Sequence, residues 1–254
     1  MPDELNSNDC LIAFGSNEGE SQLIFDQAVH LLCETKQCDE IVTSERLKTR
    51  PIGGPSNQNN YLNACIRLRT KFTANDLFTR LMEIESQLGR QRRGRWGSRI
   101  IDLDLLLFGC EQIKDLKTSL EVPHPRMTFR RFVLQPAVEI AADMVHPITK
   151  MMLGDLLKHI DSPENSIRLI TNQPNDYANR LEAFCTDQDW GYRVCSPGDQ
   201  AAMSKFAKLN VYFAPEAGVI ETHMAGIGPL LKLQPDRENI RVELLAAIDA
   251  MNTC

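Results

Sequence analysis

Two aspartates inside an apolar run are the residues of this sequence best suited to chemistry. Asp102 and Asp104 stand in IIDLDLLLF, where all the remaining residues are apolar. In a β-strand, residues two apart face the same side. The two carboxylates would therefore point the same way, from Cα atoms roughly 6.6 Å apart. Two like charges beside a core are costly unless a cation compensates them. Because Mg²⁺ prefers oxygen ligands, the pair predicts a magnesium site.

An arginine-rich loop precedes this predicted strand. The segment RQRRGRWGSR carries five arginines, at 90, 92, 93, 95 and 99, together with Gly94 and Gly97. Arginine binds phosphate through paired donors, and glycine frees the loop to move, so the loop could clamp a polyphosphate during its transfer. Three readings without chemistry stay open: a solvated basic loop, a salt-bridge network with the aspartates, and an edge strand whose polar face meets water.

The elements that must position these residues alternate between strands and helices. Alternating or continuous apolar residues predict strands, and apolar residues at helical spacing predict helices. Strands are predicted at 10–14, 61–70 and 100–108, and helices at 21–35 and 74–88, before a proline-marked loop and two short helices that end near 160. This order indicates an α/β or α+β sandwich.

The motifs of this region resemble those of the 6-hydroxymethyl-7,8-dihydropterin pyrophosphokinases of folate biosynthesis. The resemblance rests on RWGSRIIDLDLL (95–106), on FGSN (14–17), and on GGP followed by YLNA, in the family's order, and it covers about residues 10–160. It implies an α+β fold, a ferredoxin-like three-layer sandwich. It also implies that two Mg²⁺ ions and ATP serve to transfer a pyrophosphoryl group to the hydroxymethyl oxygen of the pterin, with release of AMP.

The resemblance further implies a role for each matching residue. Asp102 and Asp104 would hold the magnesium ions, and Arg90 and Arg99 would be the catalytic arginines that neutralise charge on the migrating group. The implied ATP contacts are Glu85, Arg92, Arg95, His124 and Arg130, and the implied pterin contacts are Thr49, Ile52, Tyr61, Asn63, Trp96 and Phe132. Aromatic rings can stack on a flat heterocycle and an amide can bind its edge. Without the resemblance, the same aromatic residues would read equally well as core residues, and His124 as a loop histidine.

The last third of the chain lies beyond the resemblance. The polar segment DSPENS (161–166) is predicted to link a pyrophosphokinase domain at 1–160 to a small α/β accessory domain at 167–254. There, four short apolar runs alternate with helical stretches, which indicates a small parallel sheet closed by the helix ENIRVELLAAIDAM. The P-loop pattern GxxxxGK[ST] does not occur in the sequence, so we expect no second ATP-using site and leave the domain's protein partner unassigned.

Composition excludes several other classes of protein. The 254 residues carry a net charge of −6, which disfavours a dedicated nucleic-acid binder, and they contain no apolar run of membrane-spanning length. The eight cysteines are scattered, which predicts reduced thiols without zinc, and the acidic N-terminus predicts a cytoplasmic protein. Two alternatives to the enzyme are a nucleic-acid-binding module that uses the arginine loop and an inactive relative that serves as a scaffold.

Overall fold

Two sheets organise the chain in this computed structural model, which describes residues 7–52, 58–90, 98–171, 174–196, 199–203, 205–213, 226–233 and 240–253. The strands of the first sheet are β1 (Asn8–Ser16), β2 (Cys38–Thr43), β3 (Leu47–Thr49), β4 (Tyr61–Thr70) and β5 (Asp102–Phe108). They pair antiparallel in the order β2-β4-β1-β5, and β3 also pairs with β4. The strands predicted around 10–14, 61–70 and 100–108 are thus confirmed.

Two helices cover one face of this sheet. Alternation along β1 turns Ile12 and Phe14 toward α1 (Ser21–Cys33) and α2 (Ala74–Gln87), where they join one hydrophobic cluster. Thr73 caps α2, since its hydroxyl accepts a hydrogen bond from the backbone N–H of Asp76 at 3.2 Å. Both helices confirm the sequence prediction.

The opposite face of the sheet packs against later elements. These are α3 (Arg131–Ala141) and α4 (Leu153–Ile160), preceded by the hairpin of β6 (Ile113–Asp115) and β7 (Leu120–Val122) and by a 3₁₀ turn, Met127–Phe129. Leu11 of β1 and Leu134 of α3 are both fully buried in this second cluster. The result is a mixed α/β fold with helices on both faces of a central sheet.

The edge strands β2 and β3 were not predicted from the sequence. Most side chains of β2 are exposed, and its register on β4 shifts between Asp39 and Val42, beside the left-handed backbone of Glu40 (φ 48°). This irregularity, together with a solvent-facing edge, removes the alternation of apolar residues that marks a strand in a sequence.

The second sheet is parallel, as predicted for the last third of the chain. Its strands are β8 (Ser166–Ile170), β9 (Gly191–Cys195), β10 (Leu209–Phe213) and β11 (Leu230–Leu233), in the order β11-β10-β8-β9. The helices of this unit are α5 (Pro174–Asp187), α6 (Gln200–Met203) and α7 (Ile240–Asn252).

A continuous hydrophobic core joins the first sheet and its helices α1–α4, the first unit, to the second sheet and its helices α5–α7, the second unit. One cluster holds Leu107 and Leu134 from the first unit together with Leu169, Leu209 and Leu244 from the second, and all five are essentially inaccessible to solvent. The short segment between α4 and β8 therefore connects elements that already pack together. The division into separate domains at 161–166 stays a prediction.

The described residues bear on membrane-spanning helices and on the cysteines. None of the helices there is long and apolar enough to cross a membrane. The cysteines there are free thiols, among them the buried Cys10 and Cys65.

Candidate functional site

A cavity of about 220 Å³ lies where the first sheet meets α3 and α7. It is lined by many of the residues that the sequence singled out, namely Thr49, Ile52, Tyr61, Asn63, Arg99, Asp102, Asp104, Arg130 and Phe132. Residues from β4, β5 and α3, together with the chain before and after them, thus converge on one space. Such convergence of polar groups in a concave site is typical of ligand-binding cavities.

The two aspartates share one face of β5, as their spacing predicts. Leu103 and Leu105 point into the cluster beneath α1 and α2, whereas Asp102 and Asp104 face the cavity. The register aligns Asp102 with Gly15 of β1, which is aligned in turn with Asn63 of β4. With no side chain at Gly15, space remains between the carboxylate and the amide.

Asn17, the last residue of the FGSN motif, holds the chain just before β5. Its side-chain Oδ1 accepts a hydrogen bond from the backbone N–H of Arg99 at 2.7 Å, and its own N–H donates to the Arg99 carbonyl at 3.0 Å. Asn17 is buried. This double contact fixes Arg99 beside the cavity, which explains what the early motif contributes to the site.

Asp102 is the centre of an ion-pair network. Arg90 Nη2 lies 2.7 Å from its Oδ1, and Arg99 Nη1 pairs with its Oδ2. Burial raises the pKa of this carboxyl and the neighbouring Asp104 raises it further, while Arg99 and Arg90 act in the opposite direction. The salt-bridge network considered for the arginine loop is therefore present at Asp102.

Asp104 has a different environment from Asp102. Its side chain is 37% exposed, and its Oδ2 lies 3.8 Å from His124 Nε2. Burial, aided by the positive charge of Arg130, lowers the pKa of His124 to about 3. Because His124 is neutral at physiological pH, it does not balance the charge of Asp104.

The donor set of the two aspartates suits a divalent cation. Two like-charged carboxylates face one cavity, and a cation between them would relieve the repulsion that contributes to the raised pKa of Asp102. Within the described residues no group of three or more histidine, cysteine or acidic side chains could hold a metal. A magnesium ion at this pair would therefore take its other ligands from water or from a bound polyphosphate.

An aromatic and amide corner forms another part of the cavity. Asn63 Nδ2 donates to Thr49 Oγ1 at 2.8 Å, and both side chains are buried. Tyr61 contributes its ring from β4, and Phe132 lies under the Arg130 guanidinium, 5.6 Å from the ring centroid. Two rings and a fixed amide that line one cavity suit a flat ligand with hydrogen-bonding edges.

Glu85 and His124 lie beside the cavity rather than on its lining. The Glu85 carboxylate pairs with Arg90 and accepts a hydrogen bond from the backbone N–H of Leu103 at 2.6 Å. Burial raises the pKa of Glu85 to about 7, although both contacts favour its charged form. Glu85 thus joins α2 to β5 and positions Arg90, and its contact with ATP stays a prediction.

Three predicted site residues lie outside the described part of the chain, and two residues that the sequence did not indicate line the cavity. Arg92, Arg95 and Trp96 lie outside the described residues. Conversely, Arg126 and Glu243 line the cavity and form an ion pair at 3.0 Å, yet neither was singled out. No local pattern links two residues 117 positions apart.

Comparison with known proteins identifies relatives of the first unit. The family model of 7,8-dihydro-6-hydroxymethylpterin-pyrophosphokinase matches residues 11–142. The chain is 36% identical over 147 residues to the 2-amino-4-hydroxy-6-hydroxymethyldihydropteridine pyrophosphokinase of Haemophilus influenzae, and this match covers 58% of the chain and 89% of that relative. It is 40% identical over 134 residues to the enzyme of the same name from Bacillus subtilis, covering 53% of the chain and 78% of the relative.

Two further matches cover smaller shares of the proteins compared. The pyrophosphokinase of Synechocystis sp. is 38% identical over 114 residues, which are 45% of the chain and 56% of that relative. A crystal structure of Plasmodium falciparum HPPK-DHPS is 14% identical, with a TM-score of 0.47, and the match covers 78% of the chain and 57% of that structure. The chain thus spans little more than half the length of these two proteins.

Proposed function

The chain belongs to the 7,8-dihydro-6-hydroxymethylpterin-pyrophosphokinase family, and from this we propose that it transfers pyrophosphate from ATP to 6-hydroxymethyl-7,8-dihydropterin. The acceptor is the hydroxymethyl oxygen, and AMP leaves. The observation that carries the proposal is the pair of carboxylates, Asp102 and Asp104, facing a cavity that also holds Arg99, Arg130 and Asn63. Family membership argues against the alternative of a nucleic-acid-binding module.

Asp102 and Asp104 would hold two Mg²⁺ ions. When bound, these ions supply positive charge that neutralises phosphate oxygens. In the structure, Arg90 and Arg99 are paired with the Asp102 carboxylate. Both guanidinium groups therefore already stand at the carboxylates, where they can exchange one oxygen ligand for another and neutralise charge on the migrating group.

The remaining residues would orient the two substrates. Tyr61 and Phe132 offer ring faces to the pterin, the Asn63 amide offers hydrogen bonds at its edge, and Thr49 holds that amide in place. The other proposed contacts are Ile52 and Trp96 for the pterin, and Glu85, Arg92, Arg95, His124 and Arg130 for ATP. Fixing both substrates in one geometry lowers the barrier without a dedicated base for the alcohol.

The fold supports the same proposal. A β1-α1-β2 unit and a β4-α2-β5 unit interleave, which gives the strand order β2-β4-β1-β5 expected for a ferredoxin-like sandwich. The layer of α3 and α4 on the opposite face supports the three-layer form. We also propose a cytoplasmic location, which the acidic N-terminal sequence predicts.

Product analysis tests the proposed reaction. Incubation of the full chain with ATP, MgCl₂ and 6-hydroxymethyl-7,8-dihydropterin should yield AMP and the pterin diphosphate in equal amounts, resolved by mass spectrometry. Formation of ADP, or AMP formation that does not depend on the pterin, would contradict the proposal. A chain that binds both substrates and forms no product would instead support the inactive scaffold.

A further inference from the structure

Residues far beyond the family match form one wall of the cavity. The family model ends at residue 142, yet Glu243, Ala246, Ala247 and Ala250 of α7 line the cavity, together with Leu231 of β11. The four α7 positions are spaced three, four and seven residues from the first, so they share one face of the helix. Asn63 of the first sheet and the two aspartates line the same cavity. The cavity is therefore built from both units.

The second unit also holds the segment that carries three predicted site residues, His124, Arg130 and Phe132. The Thr128 hydroxyl accepts a hydrogen bond from the Leu230 N–H at 3.0 Å and donates to the Leu230 carbonyl at 3.3 Å. Arg131 Nε donates to the Met251 carbonyl at 2.8 Å. Residues 124–132 are thus attached to β11 and to the end of α7.

The third attachment is an ion pair at the cavity itself. Arg126 Nη2 lies 3.0 Å from Glu243 Oε2, and the Glu243 side chain is only 8% exposed. Arg126 also donates its backbone N–H to His124 Nδ1 at 3.2 Å, and its charge contributes to the lowered pKa of both His124 and Arg130. Loss of the Glu243 charge would take from Arg126, whose side chain is 28% exposed, the carboxylate with which it pairs at the cavity.

We propose that α7 is a working part of the pyrophosphokinase site, an inference that rests on the proposed function. The small side chains of Ala246, Ala247 and Ala250 form the wall that bounds the space for the pterin opposite the sheet. Glu243 is a positioning residue, which holds Arg126 and through it the 124–132 segment in the arrangement that binds substrate. The last third of the chain thereby sets which pterins fit the cavity.

Enlarging one wall residue tests the first part of the proposal. Ala246 is half-buried at the cavity, so Ala246→Leu should fill space and raise KM for the dihydropterin about tenfold, while KM for ATP changes less than twofold. Val242→Leu, on the exposed side of the same helix, is the matched control and should leave both constants unchanged. Ala246→Val gives a smaller change of the same kind if the leucine variant does not fold.

Removing one charge tests the second part. Glu243→Gln keeps the shape of the side chain and loses the ion pair. The kcat/KM for the dihydropterin should therefore fall about tenfold, measured on variant protein that a melting curve shows to be folded. Glu243→Asp retains the charge and should recover part of the loss. A purely structural role would lower only the amount of folded enzyme and leave both KM values as they are.

The outcomes separate this inference from the proposed function. If the wild-type chain forms AMP and the pterin diphosphate, but Ala246→Leu and Glu243→Gln leave KM for the pterin and kcat/KM unchanged, then α7 has no part in the site. If the wild-type chain forms no product, the proposed function fails. In that case calorimetry with the dihydropterin alone still tests the wall, because Ala246→Leu should weaken binding about tenfold and equal affinity would overturn the inference.

Discussion

Arginine side chains lie beside the first sheet and within the second, and their charge is balanced in different ways. At the first sheet, Arg90 and Arg99 pair with a carboxylate beside a cavity. In the second sheet, Arg168 of β8 is fully buried, and it donates from Nη1 to Asn210 Oδ1 at 2.8 Å and from Nη2 to the Lys205 carbonyl. An arginine that pairs with a carboxylate beside a cavity can exchange that carboxylate for a ligand. An arginine enclosed by neutral hydrogen-bond acceptors, such as Arg168, has no such exchange available. We therefore expect Arg90 and Arg99 to act on the substrate and Arg168 to act on stability alone.

The largest effect should come from the aspartates of the first sheet. Asp104→Asn and Asp102→Asn should each lower kcat at least about 100-fold, because each removes a proposed magnesium ligand. Of the two, Asp104→Asn should leave the melting temperature nearly unchanged, since the Asp104 side chain is 37% exposed and has no arginine within ion-pair distance among the described residues. Near wild-type turnover in either variant would show that the carboxylates do not hold the metal.

The next effect concerns the attachment of the second unit to the first. Gly228 has φ of +87°, and a Cβ there would lie 2.5 Å from the His159 ring of α4. Gly228→Ala should therefore lower the free energy of unfolding by about 2–4 kcal/mol, through both backbone strain and the clash. Denaturant unfolding measures this loss.

Gly226 provides a matched control for that variant. Its φ is +75°, and a Cβ there would meet no atom within 4 Å. Gly226→Ala should then lower the free energy of unfolding by only about 1 kcal/mol, from the strain alone. Equal losses for both alanine variants would show that the contact with His159 does not matter.

Replacing the enclosed arginine sharpens the contrast between the sheets. Arg168→Met should lower the free energy of unfolding by about 1–3 kcal/mol, because Asn210 and the Lys205 carbonyl lose their donor. The folded fraction should keep its kcat and both KM values, unlike the aspartate variants. Lys158→Met, at a side chain that is 81% exposed, is the control and should change stability by less than about 0.5 kcal/mol. Altered KM in folded Arg168→Met would break the comparison.

Buried histidines give a smaller, pH-dependent effect. Burial lowers the pKa of His146 to about 3, from an ordinary value of 6.5. Between these two values the unfolded chain binds a proton that the folded chain refuses, so this contribution is complete above pH 6.5 and is lost as pH falls toward 3. The loss is at most about 1.4 kcal/mol per pH unit.

A variant isolates that contribution from other groups. Glu85, whose pKa is raised to about 7, acts with the opposite sign between its ordinary value of 4.5 and 7, so the wild-type profile is a sum. His146→Asn should reduce the drop in unfolding free energy between pH 7 and pH 5 by roughly 2 kcal/mol. Identical drops for wild type and variant, measured by urea denaturation, would contradict this prediction.

The sequence predicted what depends on local patterns. Alternation placed Asp102 and Asp104 on one face of β5, and helical periodicity found α1 and α2. The edge strands β2 and β3 escaped because exposed and irregular strands lack that alternation. The contribution of Glu243 to the cavity could not be predicted either, because its partner Arg126 is distant along the chain and only tertiary packing brings the two together.

The reciprocal hydrogen bonds between Thr128 and Leu230 have a practical consequence for protein production. A truncated recombinant that stopped before β8 would leave this hydroxyl without its backbone partner and would expose the part of the shared hydrophobic core that the second unit covers. Such a product should aggregate, so low yield from a shortened gene would say nothing about catalysis. Expression trials therefore need a coding region that extends through α7.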